Sequence, residues 1–224
     1  MDSLIKPGKD VHVAVPGLAQ DSHVSLALCK KGVSVHNIRL RRAGLNPLQD
    51  LRLLLSLMLL IIRLRPRYVI AYTIKPVIYG SIAAWLARVK NRFSLVTGLG
   101  YTFTQRADAK NFLLQGMVRL LYRFSLKRIH HVFFQNPDDL ELFRQLRLLP
   151  PVWRASVLNG SGVDVTQYTK SPLPESPSFL LIARLLGNKG VREYAQAAGR
   201  IKIQRPDLIF RLVGWIDETP EAIK

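Results

Sequence analysis

The chain has 224 residues, 48% of them hydrophobic and 8% aromatic, enough for a packed core in one large domain or two small ones. Lys and Arg number 33 against 15 Asp and Glu, and the net charge of +18 points to an anionic partner: nucleic acid, an acidic membrane surface or a phosphorylated substrate. The single Cys29 excludes an internal disulfide, argues against a cysteine-based metal site and fits a reducing, cytoplasmic setting.

Residues 1–10, MDSLIKPGKD, are polar, interrupted by Pro7 and Gly8, and show no signal-peptide pattern. VHVAV (11–15) predicts a first strand, followed by a helix opened by Asp21 or Ser22. VSVHNI (33–38) predicts a second strand and leads to a long helix from about Pro47 to Leu64. The apolar run inside it, Leu53 to Ile62, is well short of the roughly 20 residues that cross a bilayer. YVIAY (68–72) comes next, with a helix over about 77–88, then RFSLV (92–96) with a helix over about 110–127. HVFFQ (131–135) leads into a helix near Pro137, where Asp138 and Asp139 suit an N-terminus, and ASVLN (155–159) closes the series.

Six strand candidates separated by helices imply crossover connections, hence a Rossmann-like α/β domain with a parallel sheet covered on both faces. Ligands are expected beyond the C-terminal ends of its strands. TKSPLPESPS (169–178) reads as a linker. The alternation then restarts: FLLIA (179–183), a helix with Val191, Tyr194, Ala195, Ala198 and Ile201 on one face, and LIFRLV (208–213). The expected organisation is a first domain over 1–168, the linker, and over 179–224 the first βαβ unit of a second Rossmann-like domain. A βαβ unit of that size buries too little surface to stand alone, so the chain is expected to stop inside that domain.

The basic residues recur as RLRR (39–42), RLRPR (63–67), RFSLKR (123–128) and RQLRLL (144–149). They form no recognised nucleic-acid motif, which leaves a solvated or membrane-facing surface as the default and no nucleic-acid partner expected. The helix over 51–67 is apolar nearly all round, a pattern of burial, although its flanking arginines also permit an interfacial position. The basic stretch RLLYRFSLKR (119–128) is the better membrane candidate, since each cation near anionic lipid gains about 1 kcal/mol.

The chemistry concentrates in IARLLGNKG (182–190). Arg184 stands at the end of a strand, Lys189 follows in the loop, and Asn188 can cap a helix beginning at Gly190. A guanidinium fork, an ammonium and a helix N-terminus suit a diphosphate, while two surface cations beside a turn is the plainer alternative. Lys75 either contacts an acceptor phosphate or is a solvated lysine held before Pro76. His130 and His131 fall on opposite faces of a strand and read as structural, and Asp164 caps a turn or binds across a cleft.

Residues 179–214, FLLIARLLGNKGVREYAQAAGRIKIQRPDLIFRLVG, resemble the nucleotide-sugar-binding start of the second domain in the glycosyl-group-1 glycosyltransferases, which have two Rossmann domains and retain anomeric configuration. LNGSGVD (158–164) resembles the turn before that family's interdomain connection. AYTIKPVIYGSIAAWLA (71–87) and SLVTGLGYTFT (94–104) resemble its bacterial subgroup that adds sugars, often N-acetylhexosamines, to undecaprenyl-diphosphate-linked intermediates of surface polysaccharide or glycan assembly.

The resemblance implies that Arg184 and Lys189 contact the donor diphosphate and stabilise the departing nucleoside diphosphate, with Gly190 and Gly214 letting backbone approach the nucleotide. It places Lys75, Thr97, Gly98, Gly100, Asn159 and Gly160 on the acceptor or cleft side. The implied co-substrate is a nucleotide-diphosphate sugar, with no metal or other cofactor, and the implied acceptor is polyprenyl-diphosphate-linked, met at the inner face of the cytoplasmic membrane. It also implies a strand and glycine loop ahead of Val11, and a glutamate pair eight positions apart that this sequence does not reach by Lys224. The expected architecture is therefore an incomplete pair of Rossmann-like domains. A catalytically inactive module binding anions or membranes is the alternative reading.

Overall fold

The structure, a computed structural model, describes residues 9–18, 22–40, 46–98, 109–149, 154–160, 162–215 and 222–223. The chain divides into two compact units, Met1–Gly162 and Val163–Lys224, and the proline-rich segment 169–178 falls in the second.

In the first unit, β1 (Val11–Pro16) leads to helix α1 (His23–Lys30), β2 (Val33–Ile38) and the long α2 (Pro47–Leu64). β3 (Tyr68–Tyr72), a π-helical turn over Pro76–Gly80 and α3 (Ser81–Leu86) follow. β4 (Asn91–Val96), α4 (Ala109–Leu126), β5 (His131–Phe134), α5 (Pro137–Gln145) and β6 (Ala155–Val157) complete the unit. The helices start where short polar side chains satisfy the first free N–H groups. Ser22 Oγ accepts from the Ser25 amide at 3.2 Å, Asn46 Oδ1 from Gln49 at 3.2 Å, and Asn136 Oδ1 from Asp139 at 2.7 Å. Pro47 and Pro137 occupy first-turn positions, where a missing N–H costs nothing.

All strand pairs are parallel, as the crossover pattern requires, but the six strands do not form one sheet among the described residues. β1 pairs with β2, from Val11 opposite Val33 to Pro16 opposite Ile38. β3, β4, β5 and β6 form a separate four-stranded sheet in sequence order. Apolar periodicity marks each strand but not which edge it joins, because the ladder is made of backbone groups common to every residue.

Among the described residues, the helices around the four-stranded sheet share one core with one of its faces. Sequential strands joined by right-handed crossovers put the connecting helices on one face. On that side Val96, Val132 and Phe134 of the strands are buried with Val118, Tyr122 and Leu126 of α4, Leu140 and Phe143 of α5, and Val77, Ile82 and Ala83 of the segment after β3. Tyr122, Phe134 and Phe143 meet edge-on, with centroids 5.1 to 5.2 Å apart. At about 1.5–3 kcal/mol for each fully buried large side chain, this cluster is the principal driving force for the unit. On β3, by contrast, Tyr68, Ile70 and Tyr72 are exposed.

In the second unit, β7 (Ser178–Ile182) and β8 (Ile209–Val213) pair in parallel across α6 (Val191–Gln204). Tyr194 of α6 ties the helix to the sheet by donating its hydroxyl to the Phe179 and Arg211 carbonyls, 3.0 Å each. No described helix is long and apolar enough to cross a membrane.

Candidate functional site

In the second unit the loop between β7 and α6 is held by its backbone and its apolar residues. The Ala183 amide donates to the Val213 carbonyl (3.1 Å) and Leu185 to Trp215 (3.1 Å), extending the ladder past the strand ends. The Leu185 carbonyl accepts from Ile223 (2.9 Å), and Leu186, buried, bridges antiparallel to Ala222. A single 3₁₀ turn over Gly187–Lys189 then reaches Gly190. Arg184 and Lys189 are both exposed on this anchored frame, at the C-terminal side of β7.

α6 begins at Val191, one residue later than the expectation built on Asn188 had it, with Gly190 as its N-cap. Gly190 has φ +71°, the left-handed region that glycine enters without a Cβ penalty, so it joins the 3₁₀ turn to α6. A helix start presents first-turn N–H groups at the positive end of the dipole, an arrangement that receives anions.

Gly214 stands where β8 ends beside Ala183. A Cβ there would lie 1.9 Å from the Ala183 carbonyl oxygen, which is backbone and cannot move aside. The close approach is therefore between two strand ends of the protein itself. Gly214→Ala is expected to destabilise the second unit by at least the 1–3 kcal/mol typical of overpacking, read as a lower urea midpoint, and a change within about 0.5 kcal/mol would refute the close approach.

In the first unit the predicted acceptor-side residues all follow C-terminal strand ends of one parallel sheet, which places them along one edge of it. Thr97 and Gly98 follow β4, with Gly98 at φ +144°. Asn159 and Gly160 follow β6; Gly160, at φ +75°, donates its amide to the Leu158 carbonyl at 2.8 Å. Gly100 lies outside the described residues. Lys75 follows β3 beyond Thr73, a β-branched residue held at φ +70°, whose amide bonds the Leu95 carbonyl (3.3 Å). Such a conformation persists only where its surroundings enforce it, and it is enriched at functional sites.

Lys75 is neither solvated nor reaching freely outward. Its Nζ lies 2.8 Å from Asp50 Oδ1 in the first turn of α2, and the two side chains are only 11% and 7% exposed. Asp50 also accepts a hydrogen bond from the buried Tyr79 hydroxyl, whose pKa is raised well above the ordinary tyrosine value by burial first and then by the Asp50 charge and hydrogen bond. Asp50 and Lys75 border a cavity of about 870 Å³ between the end of β2 and α2, which Asn37, Arg39, Gln49 and Arg52 also line. The sequence alone assigns no site role to Asp50 or Tyr79, and marks Arg39 and Arg52 only as members of basic surface runs. Asp50 had one visible signal, an acid at the head of an otherwise apolar helix.

His36 lines the same cavity, and its ring Nε2 is 3.0 Å from Nδ1 of His12. Burial, the neighbouring His12 and the Arg63 charge lower its pKa. His131 Nε2 bonds Ser156 Oγ at 2.9 Å and His130 Nδ1 accepts from the Arg92 amide at 3.3 Å, so both serve the sheet. Asp164 caps the 3₁₀ turn over Val165–Gln167, accepting from the Thr166 amide (3.1 Å) and hydroxyl (2.6 Å). Among the described residues no three His, Cys, Asp or Glu side chains converge as metal ligands do.

Parallel strands whose C-terminal loops carry cations and glycine turns, in one large α/β unit and again in a second, define a Rossmann-like α/β protein. Residues 1–136 match the glycosyl transferase 4-like family, and the chain belongs to that family. It is 30% identical, over 97% of its own length, to the N,N'-diacetylbacillosaminyl-diphospho-undecaprenol alpha-1,3-N-acetylgalactosaminyltransferase of Campylobacter jejuni serotype O:2. It spans 59% of the length of that relative. Among solved structures it resembles the HepE protein of Anabaena, determined with UDP and glucose, at a TM-score of 0.63 and 17% identity over 90% of this chain and 53% of that one. It also resembles a glycosyltransferase from Rickettsia africae, at a TM-score of 0.56 and 11% identity over 93% and 69%. At these identities the two structures speak for the fold, a parallel α/β arrangement shared with about half to two thirds of longer chains.

Proposed function

We propose that the chain serves in the transfer of an N-acetylhexosamine or hexose from a nucleotide-diphosphate sugar to a polyprenyl-diphosphate-linked acceptor, peripherally at the inner face of the cytoplasmic membrane. The observation that carries this reading is the loop between β7 and α6. Its frame is fixed by Leu185, Leu186 and Gly190 while Arg184 and Lys189 remain exposed beside the start of α6. As the sugar leaves, the nucleoside diphosphate gains negative charge. A guanidinium fork, an ammonium and a helix dipole in place beforehand stabilise that charge without further reorganisation. The acceptor class follows from the likeness to the Campylobacter enzyme, whose name specifies a diphospho-undecaprenol sugar as acceptor and N-acetylgalactosamine as the group added. On the acceptor side the proposal uses the sheet edge with Thr97, Gly98, Asn159 and Gly160, and the cavity with Lys75.

The test is calorimetric titration of the chain with UDP-N-acetylgalactosamine, UDP-N-acetylglucosamine and UDP-glucose. Saturable binding of at least one, displaced by UDP, is the expected result. No saturable binding to any of them sinks the donor assignment for this chain.

A further inference from the structure

We propose that Trp215 is the platform on which the nucleobase of the donor stacks, so that this residue supplies affinity for the nucleoside half of the nucleotide sugar while Arg184 meets the diphosphate half. The inference rests on the donor reading of the loop between β7 and α6 and deepens it by naming what meets the base.

Three observations place the indole there. The first is register. β7 and β8 pair in parallel as far as Ile182 opposite Val213. The Ala183 amide bonds the Val213 carbonyl and, two residues further on, the Leu185 amide bonds the Trp215 carbonyl, both at 3.1 Å. That step of two carries the register past the strand ends and sets Trp215 level with Arg184. Level residues on neighbouring strands present their side chains on one face, with the strands about 4.8 Å apart.

The second observation is how firmly this backbone is held. The Leu185 carbonyl also accepts from the Ile223 amide (2.9 Å), so both backbone groups of Leu185 are engaged. Gly214, directly before Trp215, lies so close to Ala183 that a Cβ would meet the Ala183 carbonyl oxygen at 1.9 Å. The segment carrying the indole is thus fixed against the loop carrying the guanidinium. A platform in place beforehand loses little freedom when a ligand arrives.

The third observation is exposure. Trp215, the one tryptophan in the sequence of the second unit, is 66% exposed. Leu180, Ile182 and Val213 are exposed too, but they are aliphatic and lie within the paired strands. Trp215 stands beyond the last registered pair, at the C-terminal strand ends where a parallel α/β unit binds its ligands. There an exposed guanidinium and an exposed indole lie side by side. They match the two ends of a nucleoside diphosphate, one anionic and one flat and aromatic. A phosphate without a base would use only the cation. An apolar protein partner would use the aliphatic residues of β7 and β8 and gain nothing from Arg184.

The experiment titrates the full chain with UDP and with inorganic pyrophosphate, by calorimetry and by tryptophan emission. UDP is expected to bind and to quench the emission, and pyrophosphate to bind more weakly without quenching it. W215A is expected to lose about tenfold or more in UDP affinity while its pyrophosphate affinity stays within about twofold of the wild type. W215F keeps a flat ring, so its UDP affinity is expected within about fourfold of the wild type, with the UDP-induced quench largely gone. The proposal is overturned by a W215A variant that binds UDP as the wild type does, or by a quench that persists undiminished in W215F. Equal losses for UDP and pyrophosphate in W215A also overturn it, since they would make Trp215 part of the loop's architecture. A wild-type chain that binds pyrophosphate and not UDP retires the base platform alone, whereas one that binds neither retires the donor reading with it.

Discussion

Asp50→Ala is expected to destabilise the first unit by about 3–5 kcal/mol, a large part of the 5–15 kcal/mol that holds a typical domain together. Asp50 and Lys75 meet at 2.8 Å with almost no water access, and the attraction between them offsets the desolvation of both only while both are present. Removing the carboxylate leaves a buried ammonium and deprives the Tyr79 hydroxyl of its acceptor. Asp50→Asn, which can still accept both hydrogen bonds but carries no charge, is expected to fall between alanine and wild type. The joint replacement D50L/K75M takes both ions out of the interior and is expected to recover the part of the loss due to the unpaired ammonium, while the Tyr79 hydroxyl stays without its acceptor. Urea unfolding of the four proteins decides the matter, and a loss below about 0.5 kcal/mol for Asp50→Ala would show that the pair carries no stability.

The same variants separate two roles for Lys75. A lysine that only neutralises Asp50 becomes dispensable once Asp50 is apolar, so D50L/K75M would then keep its KM for acceptor. A lysine that also meets an acceptor phosphate at the cavity rim raises that KM in the stabilised background. The cavity position and the strained Thr73 just upstream favour the second outcome.

How far the sequence speaks depends on whether a feature is local. β3 at 68–72 and α2 at 47–64 stand where the apolar runs and the Asn46–Pro47 start put them, because strand period, cap and first-turn proline are properties of adjacent residues. The segment after β3 reads as an ordinary helix over 77–88 but opens with a π turn, since the shift from one hydrogen-bond register to the next leaves no mark in residue type. The Asp50–Lys75 pair joins positions 25 apart, and either alone reads as surface charge. α2 misleads for a different reason. A helix apolar on all sides says that something covers it, not whether that is protein or another apolar phase, and its outer leucines became a distinct observation only when the structure left them bare. The loop at 182–190 lies between these cases. Its cations were visible by their place after a strand, while the left-handed backbone of Gly190 at its helix start is a matter of conformation that residue type only permits.

Arg184→Ala and Lys189→Ala are each expected to lower kcat/KM for the nucleotide sugar by about 10²–10³-fold, the usual effect of removing one preorganised charge partner of a departing group. The two differ in what they offer. The guanidinium can bind two phosphate oxygens at once, so Arg184→Lys should recover only part of the loss, whereas Lys189 acts as a point charge and Lys189→Arg should be milder. Neither change should disturb the fold. The loop is held by the backbone bonds of Ala183 and Leu185, by buried Leu186 and Val191 and by the left-handed Gly190, none of which needs the cationic heads. The diagnostic result is therefore a pair of variants with unfolding midpoints near that of the wild type, an acceptor KM changed less than about twofold, and a deep loss in donor turnover and UDP affinity. Near-normal turnover in either alanine variant would remove that residue from the diphosphate site. A matching fall in stability would instead make the two cations part of the loop's architecture.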